Sequence, residues 1–157
     1  MHLSRDWIAS HIPHQGRMCL LDEVVSWDAQ SILCSSSAHR EPDHPLRARG
    51  RLGIASGVEL AAQAMALHGA LTGDESDTRP RAGLLAALRG VRLYAARLDD
   101  VPSALLCEVV RVAGDRATAL YDFELRAAGR RLLSGRATVV LDSRALTPSA
   151  GAMTPSA

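Results

Sequence analysis

The sequence predicts an α+β fold in which an antiparallel sheet wraps around one long central helix. One observation behind this prediction is an alanine-rich apolar run over residues 57–71, long enough for about four turns of helix. Another is a period-two alternation of apolar and polar residues that begins near residue 91 and is divided by glycine-containing turns. The small side chains of the helix would let the sheet approach its axis closely.

Shorter segments complete the predicted order of elements. A short helix or turn is expected over 7–12, ended by Pro13, and polar loops are expected over 40–53 and 73–81. Strands are expected around 19–27, 32–38, 91–95, 106–112, 119–125 and 133–141. Because the last four lie in succession, we expect them to form a meander. One such sheet leaves an open edge and much apolar surface, which predicts self-association.

Size and composition suit a single globular domain. The chain has 157 residues, of which 47% are apolar and 22% charged. We assign residues 1–142 to the domain. Residues 143–157 repeat the tetrapeptide Thr-Pro-Ser-Ala, so we expect them to be a disordered C-terminal tail.

Charge and residue usage exclude several classes of function. A formal net charge of +1 and only 3% aromatic residues argue against binding to nucleic acid or to an anionic membrane. All 18 basic residues are arginine, which excludes Schiff-base chemistry on lysine. The three cysteines are far apart and show no C-x-x-C pattern, so we expect buried free thiols, with neither a zinc site nor any other metal site.

The location predicted for the protein is the cytoplasm. The N-terminal residues lack the apolar core of a signal peptide. The apolar run over 54–73 is interrupted by Glu59, Gln63 and His68, which indicates a core helix of the domain and no membrane span.

Glu59 is the carboxylate on which the functional question depends. The segment Ser56-Gly57-Val58-Glu59 has the S-x-x-E pattern of a capping box, in which Glu59 would bond back to the Ser56 amide. The alternative makes Glu59 a general acid in an apolar cleft, with Gln63 one turn further along to orient it. The pattern alone leaves both interpretations open.

His44 is the candidate base, because it lies 15 positions before Glu59 in the loop that leads to the helix. An imidazole and a carboxyl in one cleft form a base and an acid suited to elimination or hydration. His14 is a weaker candidate, since Pro13-His14-Gln15-Gly16 is typical of the turn before a strand. His68, inside the helix, is expected to be a packing or solvated residue.

Arg47, Arg49 and Arg51 alternate along the same loop. They are either an exposed loop surface or a docking patch for an acidic carrier protein or a phosphate arm.

Two stretches together resemble the 3-hydroxyacyl-[acyl-carrier-protein] dehydratases of the hot-dog fold. Residues 12–24, IPHQGRMCLLDEV, are similar to the N-terminal segment of that family. His44-Pro45 and the run VELAAQA over residues 58–64 are similar to its active-site loop and central helix. The resemblance extends over about residues 8–142 and is greatest to dehydratase-like proteins of aryl-polyene and related lipid clusters.

The resemblance implies a hot-dog fold and an active site shared between two chains. His44 of one protomer would work with Glu59 of the other, converting a (3R)-3-hydroxyacyl thioester on acyl carrier protein to the trans-2-enoyl thioester. A backbone amide at Gly53 or Gly57 would bind the developing oxyanion. The implied partners are acyl carrier protein and a second hot-dog chain, in a homodimer, a higher oligomer or a heterodimer. No cofactor is implied beyond the phosphopantetheine that the substrate carries.

The chain departs from this family at the start of the helix. Residues 51–55, RLGIA, replace the usual Pro-Gly-Val approach, and the interval from His44 to Glu59 is one residue longer. Two alternatives to the dehydratase therefore remain. One is a non-catalytic subunit that partners an active dehydratase, and the other is a hot-dog thioesterase.

Overall fold

A single antiparallel sheet of seven strands carries one long helix in the computed structural model, which describes residues 2–73 and 83–141. The predicted tail and nearly all of the predicted loop over 73–81 lie outside those ranges. The elements in chain order are β1 (Leu3–Ser4), α1 (Arg5–His11), β2 (Glu23–Trp27), β3 (Ser31–Ser36), α2 (Gly57–Thr72), β4 (Leu84–Leu93), β5 (Leu105–Gly114), β6 (Thr118–Ala127) and β7 (Arg130–Val140). Short 3₁₀ turns lie at Gly16–Met18, Ala38–Arg40 and Ile54–Ser56.

The strand order across the sheet is β1-β2-β3-β5-β6-β7-β4. The predicted meander is confirmed for β5, β6 and β7, but β4 pairs with β7 at the far edge and does not lie beside β5. The strand predicted from residue 19 begins only at Glu23. The reason lies in Leu20, whose N–H donates to the Gln63 side chain and to no neighbouring strand.

The core lies between α2 and the face of the sheet that it covers. The helix packs mainly on β3, β5 and β6. Along β6 every second residue is buried, as a strand with one covered face requires. Cys34 and Cys107 face each other across β3 and β5, and burial raises the pKa of the Cys34 thiol to about 12. All three cysteines are free and buried, as predicted.

Strand β4 forms an exposed apolar edge. Among the described residues it pairs with β7 on one side and with no strand on the other. Its large apolar side chains, and the tyrosine that follows, are 38–57% exposed, namely Leu84, Leu88, Val91, Leu93 and Tyr94. An apolar strand edge of this length is a template for pairing with another chain.

Neither of the described parts of the chain contains a helix with the length and apolarity needed to cross a bilayer. Within the same ranges, no three His, Cys, Asp or Glu side chains come together as a metal site would need.

Candidate functional site

The start of α2 is held in place by the segment that connects β4 to β5. An antiparallel bridge joins Gly53 to Arg97. The Asp99 carboxylate accepts the Leu52 N–H at 2.9 Å and also pairs with the Arg97 guanidinium. The hydrogen bond from Arg97, followed by that from Leu52, lowers the pKa of Asp99. These contacts fix the backbone that leads into the helix.

The two glycines predicted to orient the substrate have different surroundings. The Gly57 N–H donates within the preceding 3₁₀ turn, to the carbonyl oxygen of Ile54. A Cβ at Gly57 would lie 2.8 Å from the side chains of Leu125 and Leu133, so this position needs glycine for close packing on the sheet. The Gly53 N–H makes no hydrogen bond to any described residue, and the residue is exposed.

Glu59 does not cap the helix. Ser56 has helical dihedral angles and makes no side-chain capping bond, so the capping-box interpretation is wrong. The Oε1 atom of Glu59 instead lies 2.9 Å from Nε2 of His14 and 3.3 Å from Nε2 of Gln63. The Glu59 side chain is 34% exposed. The carboxyl is therefore held by side-chain donors at the surface of the first turn of the helix.

Gln63 connects this turn to the N-terminal segment. Its side chain is fully buried; Nε2 donates to the Met18 carbonyl oxygen at 2.6 Å and Oε1 accepts the Leu20 N–H at 2.9 Å. Because both backbone contacts constrain the amide, its orientation is set and its N–H₂ group is the part that faces Glu59.

His44 is almost buried, with only 8% of the residue exposed. Its Nδ1 accepts the Leu46 N–H at 3.1 Å, so the neutral ring carries its proton on Nε2. Burial, together with the Arg47 and His39 charges, lowers the pKa of His44, and Asp43 opposes this shift. Uncharged imidazole is the form required of a base near neutral pH.

His44 and Glu59 contact different groups near the start of α2. Among the described residues no hydrogen bond or ion pair joins them. His44 lines a small cavity with Gly57 and Leu60 at the start of α2, and Glu59 is not among the residues that line it.

The three loop arginines divide into two kinds. Arg47 is partly buried and donates to the His39 carbonyl oxygen at 3.1 Å, so it stabilises the loop that carries His44. Arg49 and Gly50 form the tip of a two-residue turn and have positive φ angles of 53° and 73°. Arg49 and Arg51 are exposed.

His14 is the site residue that the sequence interpretation set aside. The sequence around His14 predicts a turn, and the residue does lie in the loop after α1, but the fold brings its ring against Glu59. The signal that could have found it is its place in the N-terminal motif IPHQGRMCLLDEV. By contrast, His68 is fully buried and bonded to Tyr121 and to the Asp28 backbone, as expected of a packing residue.

Comparison with known proteins gives a family match over nearly the whole chain. A family model described as ApeP-like, ApeP dehydratase, matches residues 7–147. A search among curated proteins found no significant match.

Solved structures confirm the hot-dog fold. A chain of the dehydratase heterocomplex ApeI:P from Xenorhabdus doucetiae is 22% identical with a TM-score of 0.77, and the match covers 91% of this chain and 93% of that chain. A mutant thioesterase from Pseudomonas aeruginosa is 17% identical with a TM-score of 0.54, covering 74% and 78%. A hypothetical thioesterase from Streptococcus pneumoniae TIGR4, solved with coenzyme A, is 15% identical with a TM-score of 0.56, covering 76% and 84%.

Proposed function

Because the chain belongs to the ApeP-like dehydratase family, we propose that it removes water from (3R)-3-hydroxyacyl thioesters on acyl carrier protein and forms trans-2-enoyl thioesters. The observation that carries this proposal is the environment of Glu59. The carboxyl is free of the capping role, partly exposed, and held by His14 and Gln63 at the start of the central helix. A carboxyl constrained in this way can deliver a proton to a bound substrate.

The elimination proceeds by loss of a proton from C2 and of the hydroxyl group from C3. His44 accepts the C2 proton, the electron pair of the broken C–H bond forms the C2–C3 double bond, and Glu59 protonates the departing hydroxyl to give water. The thioester oxygen gains negative charge as the proton leaves, and the unpartnered Gly53 amide supports binding of that oxygen. The reaction changes no net oxidation state, so it needs no redox cofactor.

His44 of one chain would act with Glu59 of another. Among the described residues no hydrogen bond or ion pair joins the two side chains, which fits this assignment, and the apolar edge of β4 offers a surface for pairing with a second hot-dog chain. The ApeI:P structure is described as a heterocomplex, so a related chain is a candidate partner as well as a second copy. The exposed Arg49 and Arg51 would receive the acidic carrier protein, while Arg47 would support the loop from inside.

One observation favours a second function, that of a non-catalytic subunit. The Leu46 N–H bond occupies the lone pair of Nδ1 and places the proton of neutral His44 on Nε2, so neither ring nitrogen is free to act as a base. Catalysis by His44 therefore requires that this bond break when partner and substrate bind, so that one ring nitrogen becomes free to accept the C2 proton. A subunit that only stabilises an active dehydratase would need no such change.

Mass spectrometry of a 3-hydroxyacyl carrier protein incubated with the purified protein tests the proposal. We expect the acyl group to lose one water, and we expect His44→Ala and Glu59→Gln each to abolish this loss while circular dichroism shows an intact fold. His2→Ala, which changes an exposed histidine, is the control and should keep wild-type turnover. Retained turnover in either site variant would remove that residue from the mechanism.

The same measurement separates the alternatives. Release of the whole acyl chain would indicate a thioesterase. An unchanged substrate with an intact protein would favour the non-catalytic subunit. Activity that appears on addition of a second hot-dog chain and persists when this chain carries His44→Ala or Glu59→Gln would establish it.

A further inference from the structure

His14 contacts the proposed catalytic acid, yet the mechanism above gives it no role. Its Nε2 lies 2.9 Å from Oε1 of Glu59, and the two side chains are 28% and 34% exposed. The pair is near enough to the surface to meet a substrate and shielded enough for a directed hydrogen bond to persist.

The surroundings of the His14 ring indicate which nitrogen carries the proton. The Nδ1 atom is buried and has no hydrogen-bond partner among the described residues. A buried N–H group without a partner is rarer in proteins than an acceptor without one. The proton therefore belongs on Nε2, and His14 donates to Glu59.

Gln63 provides the second donor to the same oxygen. Its amide is fixed by the Met18 carbonyl and the Leu20 N–H, so its Nε2 donates to Oε1 of Glu59 at 3.3 Å. With both donors in place, the hydrogen of a protonated Glu59 carboxyl must lie on Oε2. That oxygen makes no hydrogen bond to any described residue and is available to a substrate.

We propose that His14 is a positioning residue, which holds Oε1 of Glu59 so that Oε2 presents the proton to the departing C3 hydroxyl. This inference rests on the proposed function. Without His14 only the longer bond from Gln63, at 3.3 Å, holds the carboxyl, and the terminal torsion itself has only a broad preference. A displacement of about 1 Å at a reacting group can reduce the rate about 100-fold.

Two substitutions of His14 test this role in the full-length protein. In His14→Gln the amide nitrogen lies near the place of Nε2 and still reaches Glu59, whereas in His14→Asn it lies near the place of Nδ1 and falls short. We expect His14→Asn to lower kcat for dehydration about 10- to 100-fold with KM unchanged within about twofold. We expect His14→Gln to recover most of the loss. The control His11→Asn changes a neighbouring histidine that bonds to Trp7, and should have wild-type kinetics.

Equal kcat values for wild type, His14→Asn and His14→Gln would overturn the proposal, and so would a loss confined to KM.

A thermal unfolding cycle with His14→Asn, Glu59→Ala and the double variant provides a readout that does not depend on activity. We expect the double variant to lower Tm by less than the sum of the single variants, because both remove one contact. Additive shifts would overturn the contact itself, whereas non-additive shifts in a protein without dehydratase activity would overturn only the proposed reaction.

Discussion

Gly57 shows how a single missing Cβ sets the distance between the helix and the sheet. A methyl group there would lie 2.8 Å from Cδ2 of Leu125 and from Cδ2 of Leu133, closer than packed carbon atoms approach. We expect Gly57→Ala to lower the free energy of unfolding by about 1–3 kcal/mol, because the helix must move or the leucines must leave their rotamers. Urea denaturation followed by circular dichroism measures this change.

Gly69 is the matched control, since it lies in the same helix and, apart from that helix's own backbone and its chain neighbours, no described atom lies within 4 Å of its Cβ position. Alanine there gains helix propensity without a clash, so Gly69→Ala should raise the free energy of unfolding by about 1 kcal/mol. Equal effects of the two substitutions would show that propensity and not packing governs this helix.

The chemistry of the site was predictable where it is local and not where it depends on the fold. Gln63 lies one helical turn after Glu59, so their contact follows from the spacing of the two residues. His14 precedes Glu59 by 45 positions, and only the folded loop brings it into contact. The S-x-x-E pattern indicated a cap, but Ser56 belongs to a 3₁₀ turn whose helical angles keep its side chain from the capping position.

Strand β4 illustrates the same limit for a whole element. The alternation predicted a strand near residue 91, but the strand begins at Leu84 and includes the run LLAAL, which has no period-two pattern. Pairing with β7, from Leu84 opposite Val140 to Leu93 opposite Leu133, imposes the extended conformation on this run. The edge position of β4 follows from that pairing, so it could not be predicted from the local sequence.

The exposed edge of β4 is the element on which we expect oligomerisation to depend. One chain has a mass of 16.7 kDa, and we expect the wild-type protein to sediment as a dimer or larger species. Leu93→Glu should dissociate this species, because a charge would enter the apolar contact. Val112→Glu is the matched control, since Val112 is 47% exposed on β5 in the interior of the sheet, against 57% for Leu93. Analytical ultracentrifugation measures the mass. Dissociation by both substitutions would contradict a specific role for β4, and a monomeric wild type would contradict self-association through this edge.

At the scale of the whole molecule, three buried histidines make the stability of the fold depend on pH. His68 is fully buried between α2 and β6, where its ring nitrogens contact the Tyr121 hydroxyl at 2.9 Å and the Asp28 carbonyl oxygen at 3.0 Å. Burial is the largest cause that lowers the pKa of His39, of His44 and of His68 below the ordinary value of 6.5. In the unfolded chain these rings take up protons below about pH 6.5, while the folded chain resists protonation. Their contribution to stability is therefore complete above pH 6.5 and decreases as the pH falls below it.

This linkage predicts that the protein is less stable at pH 5.5 than at pH 7.5, a window in which carboxyl groups of ordinary pKa remain ionised. Urea denaturation at both pH values measures the difference for wild type and for His68→Gln, whose amide keeps a donor for the Asp28 carbonyl but cannot be protonated. We expect the variant to be less stable at pH 7.5, because the Tyr121 hydroxyl loses its partner, and to lose less stability between the two pH values. His2→Gln changes an exposed ring and should keep the wild-type difference. An equal loss of stability in wild type and His68→Gln would show that His68 does not contribute to the acid sensitivity of the fold.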